Sequence, residues 1–185
     1  ITHFLKRLLE NKEVTDTPNL AFRKEGKIVY NPIAPLVDMT TLPPPAYDLA
    51  SLDKYQAFGI LWPKAATIQR SRGCINNCSY CSWIAQESQH VENKETGTLS
   101  RRSVFRSKTP AQMLEEIDIL YLKHNIRYLI WVDASWNHDD EWMNEFCDGL
   151  IQRKYKLGWW AFIRLDYIAR QHENGKLRKM VKAGL

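Results

Sequence analysis

Three cysteines lie within eight residues, at Cys74, Cys78 and Cys81, and their spacing is C-x3-C-x2-C. Three thiolates on one short loop can bind three irons of a cubane [4Fe–4S] cluster, whereas a closed cluster that only carries electrons needs four cysteines. The fourth iron then has no protein ligand, and an open position of this kind distinguishes catalytic from structural metal sites. The spacing therefore predicts a cluster that binds a small molecule and takes part in chemistry.

The residues around the cysteines favour a loop that wraps a ligand. The partly β-branched run at 65–70 predicts a buried strand that ends shortly before the first cysteine. Gly73 allows the backbone to turn or to approach a ligand closely, because it has no Cβ atom. Tyr80 precedes the last cysteine and can lie against a cluster or a bound adenine.

Other roles for the cysteines stay open on spacing alone. Cys78 and Cys81 could form a redox pair, but such a pair leaves Cys74 without a role. A zinc site would need a fourth ligand, and the remaining cysteine, Cys147, falls inside a helical pattern as a small apolar residue. A disulfide is disfavoured by the tight spacing. The alternative to an enzyme is therefore a structural module that binds zinc or an iron–sulfur cluster.

The loop resembles the signature of the radical S-adenosylmethionine (SAM) enzymes, C-x3-C-x-aromatic-C. The match is complete at Cys74, Cys78, Tyr80 and Cys81. In that family the open iron binds the amino and carboxylate groups of SAM, and an electron from the cluster cleaves SAM to a 5′-deoxyadenosyl radical. The resemblance implies a [4Fe–4S] cluster and SAM as cofactors, and a flavodoxin or ferredoxin as electron donor.

Beyond the cysteines, predicted strands and helices alternate. Thr109 and Gln112 fit a capping box with Pro110 at the first helical position, which predicts the start of a helix. The other elements expected from hydrophobic patterning are strands at 127–132 and 158–163 and helices at 139–154 and 174–183. Strands that alternate with helices indicate an α/β fold with a parallel sheet.

Polar residues follow each predicted strand, and the carboxyl ends of parallel strands meet at one edge of a sheet. In the family that the loop resembles, polar residues after the second strand contact the SAM amino group, and an arginine after a later strand binds the SAM carboxylate. The resemblance therefore implies cofactor contacts from Tyr80, Asp133, Ser135 and Arg164. An ion pair with Asp133 or Asp166 is the alternative role for Arg164.

The first 64 residues have a different pattern. Apolar spacing predicts a helix within residues 1–15, a hairpin is expected at 19–30, and the prolines of 31–64 indicate a linker. The resemblance implies that residues 65–185 are the first three βα units of a partial radical SAM barrel. Residues 1–64 would then be the connector that follows a missing cobalamin-binding-like domain.

A narrower similarity supports the last expectation. Segments 19–29, 42–48, 102–117, 131–133 and 180–184 are similar to parts of the cobalamin-binding radical SAM proteins. That subgroup includes methyltransferases and oxygen-independent magnesium-protoporphyrin monomethyl ester cyclases. The similarity implies methylation or oxidative cyclisation of a small-molecule substrate, with cobalamin bound outside this segment.

Composition narrows the choice of partners. The net charge of +5 is mild, and the basic residues do not form the dense stripe with interleaved aromatics that nucleic-acid binding needs. An enzyme acting on RNA is therefore disfavoured. The sequence has no apolar run that could span a bilayer and no visible signal peptide. Free cysteines placed for a cluster fit a reducing cytoplasm.

Overall fold

The structure is a computed structural model that describes residues 2–57, 64–76, 78–93 and 95–185. They form two compact units, Ile1–Val37 and Asp38–Leu185. The smaller unit contains helix α1 (Thr2–Leu9) and an antiparallel hairpin of β1 (Ala21–Lys24) and β2 (Lys27–Tyr30). The predicted hairpin is confirmed, and the predicted helix is shorter than expected.

The larger unit alternates strands and helices around a short parallel sheet. Its elements are, in chain order, β3 (Ala65–Ile68), β4 (Ser71–Arg72), α2 (Ser82–Glu87), β5 (Gln89–Glu92), β6 (Leu99–Arg102), β7 (Arg106–Ser107), α3 (Pro110–Asp118), β8 (Tyr128–Trp131), α4 (Asp140–Arg153), β9 (Gly158–Ala161), α5 (Leu165–Glu173) and α6 (Lys176–Lys182). Strands β3, β8 and β9 pair in that order, and both pairings are parallel. The mixed α/β fold with a parallel sheet is therefore confirmed.

The capping signals act as predicted. Thr109 and Gln112 form a reciprocal capping box at the start of α3, with Pro110 in the first turn. This helix ends in a π-helical turn at Ile119–Lys123. Asp139 caps α4 by accepting a hydrogen bond from the Trp142 backbone N–H at 3.0 Å. The starting residues of α3 and α4 are therefore determined by local sequence.

Two parts of the larger unit were not predicted. Residues 82–108 contain α2, the antiparallel hairpin β5–β6 and the short strand β7, which pairs with β4. Helix α5 was also missed, and the helix expected at 174–183 is α6. The two helices are separated at Gly175, whose φ of 79° is the left-handed conformation that glycine adopts without strain.

The segment before β3 contains three short 3-10 turns, at Met39–Thr41, Tyr47–Leu49 and Leu52–Lys54. Tyr47 donates a hydrogen bond to the buried carboxylate of Glu116, which also pairs with Lys108 Nζ at 2.6 Å. Residues 58–63 of the predicted linker lie outside the described residues. The expected boundary between a connector and a barrel at residues 64 and 65 stays a prediction.

Alternating side chains of the sheet pack against the helices and form an aromatic core. Its rings are buried and meet mostly edge to face, with centroids 4.6–6.4 Å apart; they belong to Trp131, Trp136, Trp142, Phe146 and Trp159. Aromatic side chains bury large areas, so this cluster supplies much of the driving force for folding. Among the described helices, none is long and apolar enough to cross a bilayer.

Candidate functional site

A cleft lies at the carboxyl ends of the parallel strands, and we call it the cysteine cleft. Its volume is about 250 Å³, and it is lined by Cys74, Asn76, Cys78, Tyr80, Cys81, Trp83, Ala134, Ser135, Phe162 and Arg164. Most of these residues come from the loop after β4 and from the loops after β8 and β9, and Trp83 comes from helix α2. The two latter loops are joined by a hydrogen bond from the Trp136 backbone N–H to the Phe162 carbonyl at 2.9 Å.

The structure brings Cys74, Cys78 and Cys81 to this one cleft as half-buried free thiols. In the described part of the chain, no group of three or more potential ligands is arranged to hold a single metal ion. Ligands of a cubane cluster bind different irons, so they need not converge on one point. Three soft thiol donors beside an open cleft fit an iron–sulfur cluster in number and chemistry.

Asp133 lies two residues beyond the end of β8 but is fully buried, and the cleft-lining residues of the described chain do not include it. Its Oδ1 accepts hydrogen bonds from the Ser71 backbone N–H, at 2.7 Å, and from the Ser71 hydroxyl, and its Oδ2 accepts one from the Arg70 N–H at 3.3 Å. Burial raises the pKa of Asp133, and the bonds from Ser71 oppose that rise. In this structure Asp133 holds the end of β3 against the end of β8, and its predicted contact with a cofactor stays a prediction.

The neighbouring Arg70 is a buried cation. Its guanidinium carbon lies 3.9 Å from the centroid of the Trp142 ring, and its Nη2 donates to the Trp136 carbonyl at 2.9 Å. Burial lowers the pKa of Arg70 to about 10, and the Asp133 carboxylate opposes that change. The segment between β3 and β4 is therefore tied to the aromatic core through a stacked arginine.

Ser135 lines the cleft, and its predicted contact with a cofactor stays a prediction. Its Oγ is buried and has no hydrogen-bond partner within the described residues. The Ser135 carbonyl lies 2.8 Å from His138 Nδ1, which must carry a proton to donate to it. The pKa of His138 is lowered by burial, which favours this neutral ring.

Arg164 also lines the cleft, and it makes one of the two ion pairs considered for it. Its Nε and Nη2 donate to the Asp166 carboxylate at 3.0 and 2.9 Å, which raises the pKa of Arg164. Asn137 fixes the Arg164 backbone, because its amide oxygen accepts the Arg164 N–H at 2.9 Å. The guanidinium therefore faces the cleft with one carboxylate partner already in place.

Tyr80 lies at the rim of the cleft and is 91% exposed. Trp83 and Phe162 line the same cleft and were not predicted as site residues. Their position depends on helix α2 and on the turn after β9, and neither has a motif that would single them out. Asn137 and Arg70 were missed because their roles depend on contacts over long sequence separations.

Cys147 lies on α4, outside the cleft. It is fully buried, and desolvation raises the pKa of its thiol to about 12. It therefore fits its predicted role as a small buried apolar residue.

Comparison with known proteins gives distant relatives, and no family model matches the chain. The chain is 24% identical over 178 residues to an uncharacterised methyltransferase of Pyrococcus horikoshii. The matched region covers 96% of this chain and 34% of that protein. It is 23% identical over 170 residues to an anaerobic magnesium-protoporphyrin IX monomethyl ester cyclase of Synechocystis, covering 92% of the chain and 31% of the cyclase.

A shorter match, to an uncharacterised methyltransferase of Synechocystis, is 34% identical over 99 residues, or 54% of the chain and 14% of that protein. The chain thus spans at most about a third of the length of these relatives. Methyltransferases and cyclases of this kind are the two classes that the sequence resemblance predicted, so relatives of these classes are confirmed at low identity.

Proposed function

We propose that this chain is part of a radical SAM enzyme and that the cysteine cleft binds its cofactors. The observation that carries the proposal is the position of Cys74, Cys78 and Cys81, which have the spacing of the family signature and line one cleft with Ser135 and Arg164. Residues 65–185 would be the first three βα units of a partial barrel, and residues 1–64 the connector before it.

The three thiols would hold a [4Fe–4S] cluster, and SAM would occupy the cleft beside it. When bound and reduced, the cluster supplies the electron for reductive cleavage of SAM. Ser135 Oγ, buried without a partner in the described chain, can hydrogen-bond the SAM amino group, and the Arg164 guanidinium can bind the carboxylate in a two-pronged geometry. Tyr80, Trp83 and Phe162 supply aromatic side chains that line the cleft.

The names of the relatives support a choice of reaction class. We propose methylation or oxidative cyclisation of a small-molecule substrate, as in the methyltransferases and cyclases to which the chain is similar. Cobalamin, where it takes part, would be bound outside this segment. A flavodoxin or ferredoxin would supply electrons in the cytoplasm. The mild net charge of +5 gives no support to a nucleic-acid substrate.

The decisive experiment uses the full-length protein under anaerobic conditions. Reconstitution should give about four irons and four sulfides per chain for this site, and SAM should change the electron paramagnetic resonance spectrum of the reduced cluster, because a new ligand alters the iron. Replacing any one of Cys74, Cys78 and Cys81 with Ala should abolish the cluster.

Cys147→Ala is the matched control and should leave the cluster intact, since this thiol is buried away from the cleft. The alternative, a structural zinc module, predicts bound zinc without sulfide and no spectral response to SAM. A cluster that survives loss of Cys74 would also contradict the proposal.

A further inference from the structure

Glu87, the last residue of α2, connects the two ends of the cysteine loop, which we define as residues 74–81. Its Oε2 accepts a hydrogen bond from the Gly73 backbone N–H at 2.6 Å. Gly73 directly precedes Cys74, and Cys81 directly precedes α2. One side chain therefore ties the backbone that enters the loop to the helix that leaves it, across 14 residues.

The Glu87 carboxylate is well placed for a strong interaction. Its side chain is only 14% exposed, so water competes little for the Gly73 N–H. A hydrogen bond from an amide to a carboxylate is roughly twice as strong as one to a neutral acceptor. The Arg72 guanidinium lies 3.8 Å from Oε1 but is half exposed, so its ion pair adds little.

The opposite side of Gly73 is closed by the chain before β7. Gly73 has a φ of 84°, and a Cβ atom added there would lie 1.7 Å from the Val104 carbonyl oxygen. Ser103, the preceding residue, donates a hydrogen bond from its hydroxyl to the Cys74 carbonyl. The start of the cysteine loop is thus held between a carboxylate and a neighbouring backbone, and the end of the loop continues directly into α2.

We propose that Glu87 is a positioning residue that keeps the cysteine loop closed, so that its three thiols face the cleft together. The hydrogen bonds of Glu87 and Ser103 are made to the Gly73 N–H and the Cys74 carbonyl, so they leave the cysteine sulfurs free. For cluster retention the proposal rests on the proposed function, but loop closure itself does not depend on it.

The test compares Glu87→Ala, Glu87→Asp and Glu87→Gln in the full-length protein, with Glu145→Ala as a control at an exposed helical glutamate of α4. In reconstituted protein, Glu87→Ala should release iron to a chelator about tenfold faster, since losing one hydrogen bond of this kind costs about one decade. Glu87→Asp should behave similarly because its shorter side chain does not reach Gly73. Glu87→Gln keeps a neutral acceptor oxygen, which retains about half of the strength of the bond, so it should release iron only about threefold faster than wild type.

The same variants are compared as cluster-free protein by the rate at which iodoacetamide alkylates each cysteine. Cys74 and Cys81 should react faster in Glu87→Ala and Glu87→Asp, whereas Cys147 should stay unreactive because the core remains closed. Equal alkylation and iron release in wild type and Glu87→Ala would overturn the proposal. Faster reaction of Cys147 in parallel with the loop would also overturn it, since global destabilisation would then explain the effect.

If the wild-type protein binds no cluster, the proposed function is wrong. The alkylation rates of the cluster-free variants then test the role of Glu87 separately. If Glu87→Ala does not fold, Glu87→Asp keeps the charge and still removes the contact, so it decides the question in both assays.

Discussion

The aromatic core and the cysteine cleft lie a few residues apart on the same strands but are held by different forces. In the core, rings such as Trp131 and Trp136 are fully buried and stabilise the fold by removing apolar area from water. The cleft is lined mostly by partly exposed side chains, and hydrogen bonds such as the one from the Arg164 N–H to the Asn137 amide oxygen fix the backbone that carries them. A change in the core should therefore alter how much protein is folded, whereas a change in these bonds should alter the cleft of a folded protein.

The largest effect is expected from Trp131→Ala in the core. Removing a fully buried indole should lower the free energy of unfolding by about 3–5 kcal/mol, measured by urea denaturation. Leu122→Ala, at a side chain that is 67% exposed, is the control and should change little. Iron content per folded chain should be unchanged in both variants, and a specific loss of iron in Trp131→Ala would break the distinction between the two regions.

The next largest effect is expected from Asp133, which precedes the cleft-lining Ala134 and accepts a hydrogen bond from Arg70, the residue stacked on the core ring of Trp142. Asp133→Ala leaves the buried N–H groups of Arg70 and Ser71 without an acceptor and the Arg70 cation without a neighbouring carboxylate. We expect it to lower the free energy of unfolding by about 3 kcal/mol and to lower iron content as well. Asp133→Asn keeps one acceptor oxygen and should lose less in both measurements, whereas equal losses would show that charge alone matters.

Arg164→Ala should act on the cleft without affecting the core. Losing a charge-assisted contact to the SAM carboxylate should weaken SAM binding roughly ten- to a hundredfold, which corresponds to about 1.5–3 kcal/mol. Thermal stability and iron content should be unchanged, because the ion pair with Asp166 is exposed. Isothermal titration of the full-length protein with SAM measures the effect.

Asp166→Asn is the control for this experiment. It removes the partner carboxylate but leaves the Arg164 guanidinium free, so SAM affinity should be kept or increased. A lower melting temperature in Arg164→Ala with unaltered SAM affinity would instead assign Arg164 a structural role.

The smallest effect concerns pH. Because burial lowers the pKa of His138 in the folded protein, the unfolded chain binds its proton first as the pH falls below about 6.5. The contribution of neutral His138 to stability is therefore complete above that value and decreases below it. His138→Gln should lose less stability than wild type between pH 6.5 and 5, measured by urea denaturation at each pH; parallel curves would contradict this assignment.

The fold was predictable wherever local patterns decide the structure. The capping box at Thr109 and the continuously apolar strands are local signals, and both were read correctly. Helix α5 was missed because it is largely polar, and its one buried side chain, Gln171, is itself polar, so no apolar face marks the helix in the sequence. The pair β4–β7 is two residues long on each side, and tertiary contacts rather than propensity determine such short strands.

The cysteines of the candidate site could be predicted from the sequence, but the residues that hold the backbone of the site in place could not. The spacing of the cysteines and the order of the strands were sufficient to expect Ser135 and Arg164 in one place with them, and the structure brings them to one cleft. Nothing local marks Glu87 or Asn137 as parts of this arrangement, because each acts on a backbone group 14 or 27 residues away. The buried position of Asp133 likewise depends on how β3 meets β8.

The aromatic core has an optical consequence. Trp131, Trp136 and Trp159 are rigidly oriented, with ring centroids 4.6–6.4 Å apart, so their electronic transitions couple in a fixed chiral arrangement. Fixed aromatic packing gives a near-ultraviolet circular dichroism signal that disappears when specific packing is lost, even while secondary structure persists. The protein therefore contains its own spectroscopic reporter of core packing, which can be followed without any label or cofactor.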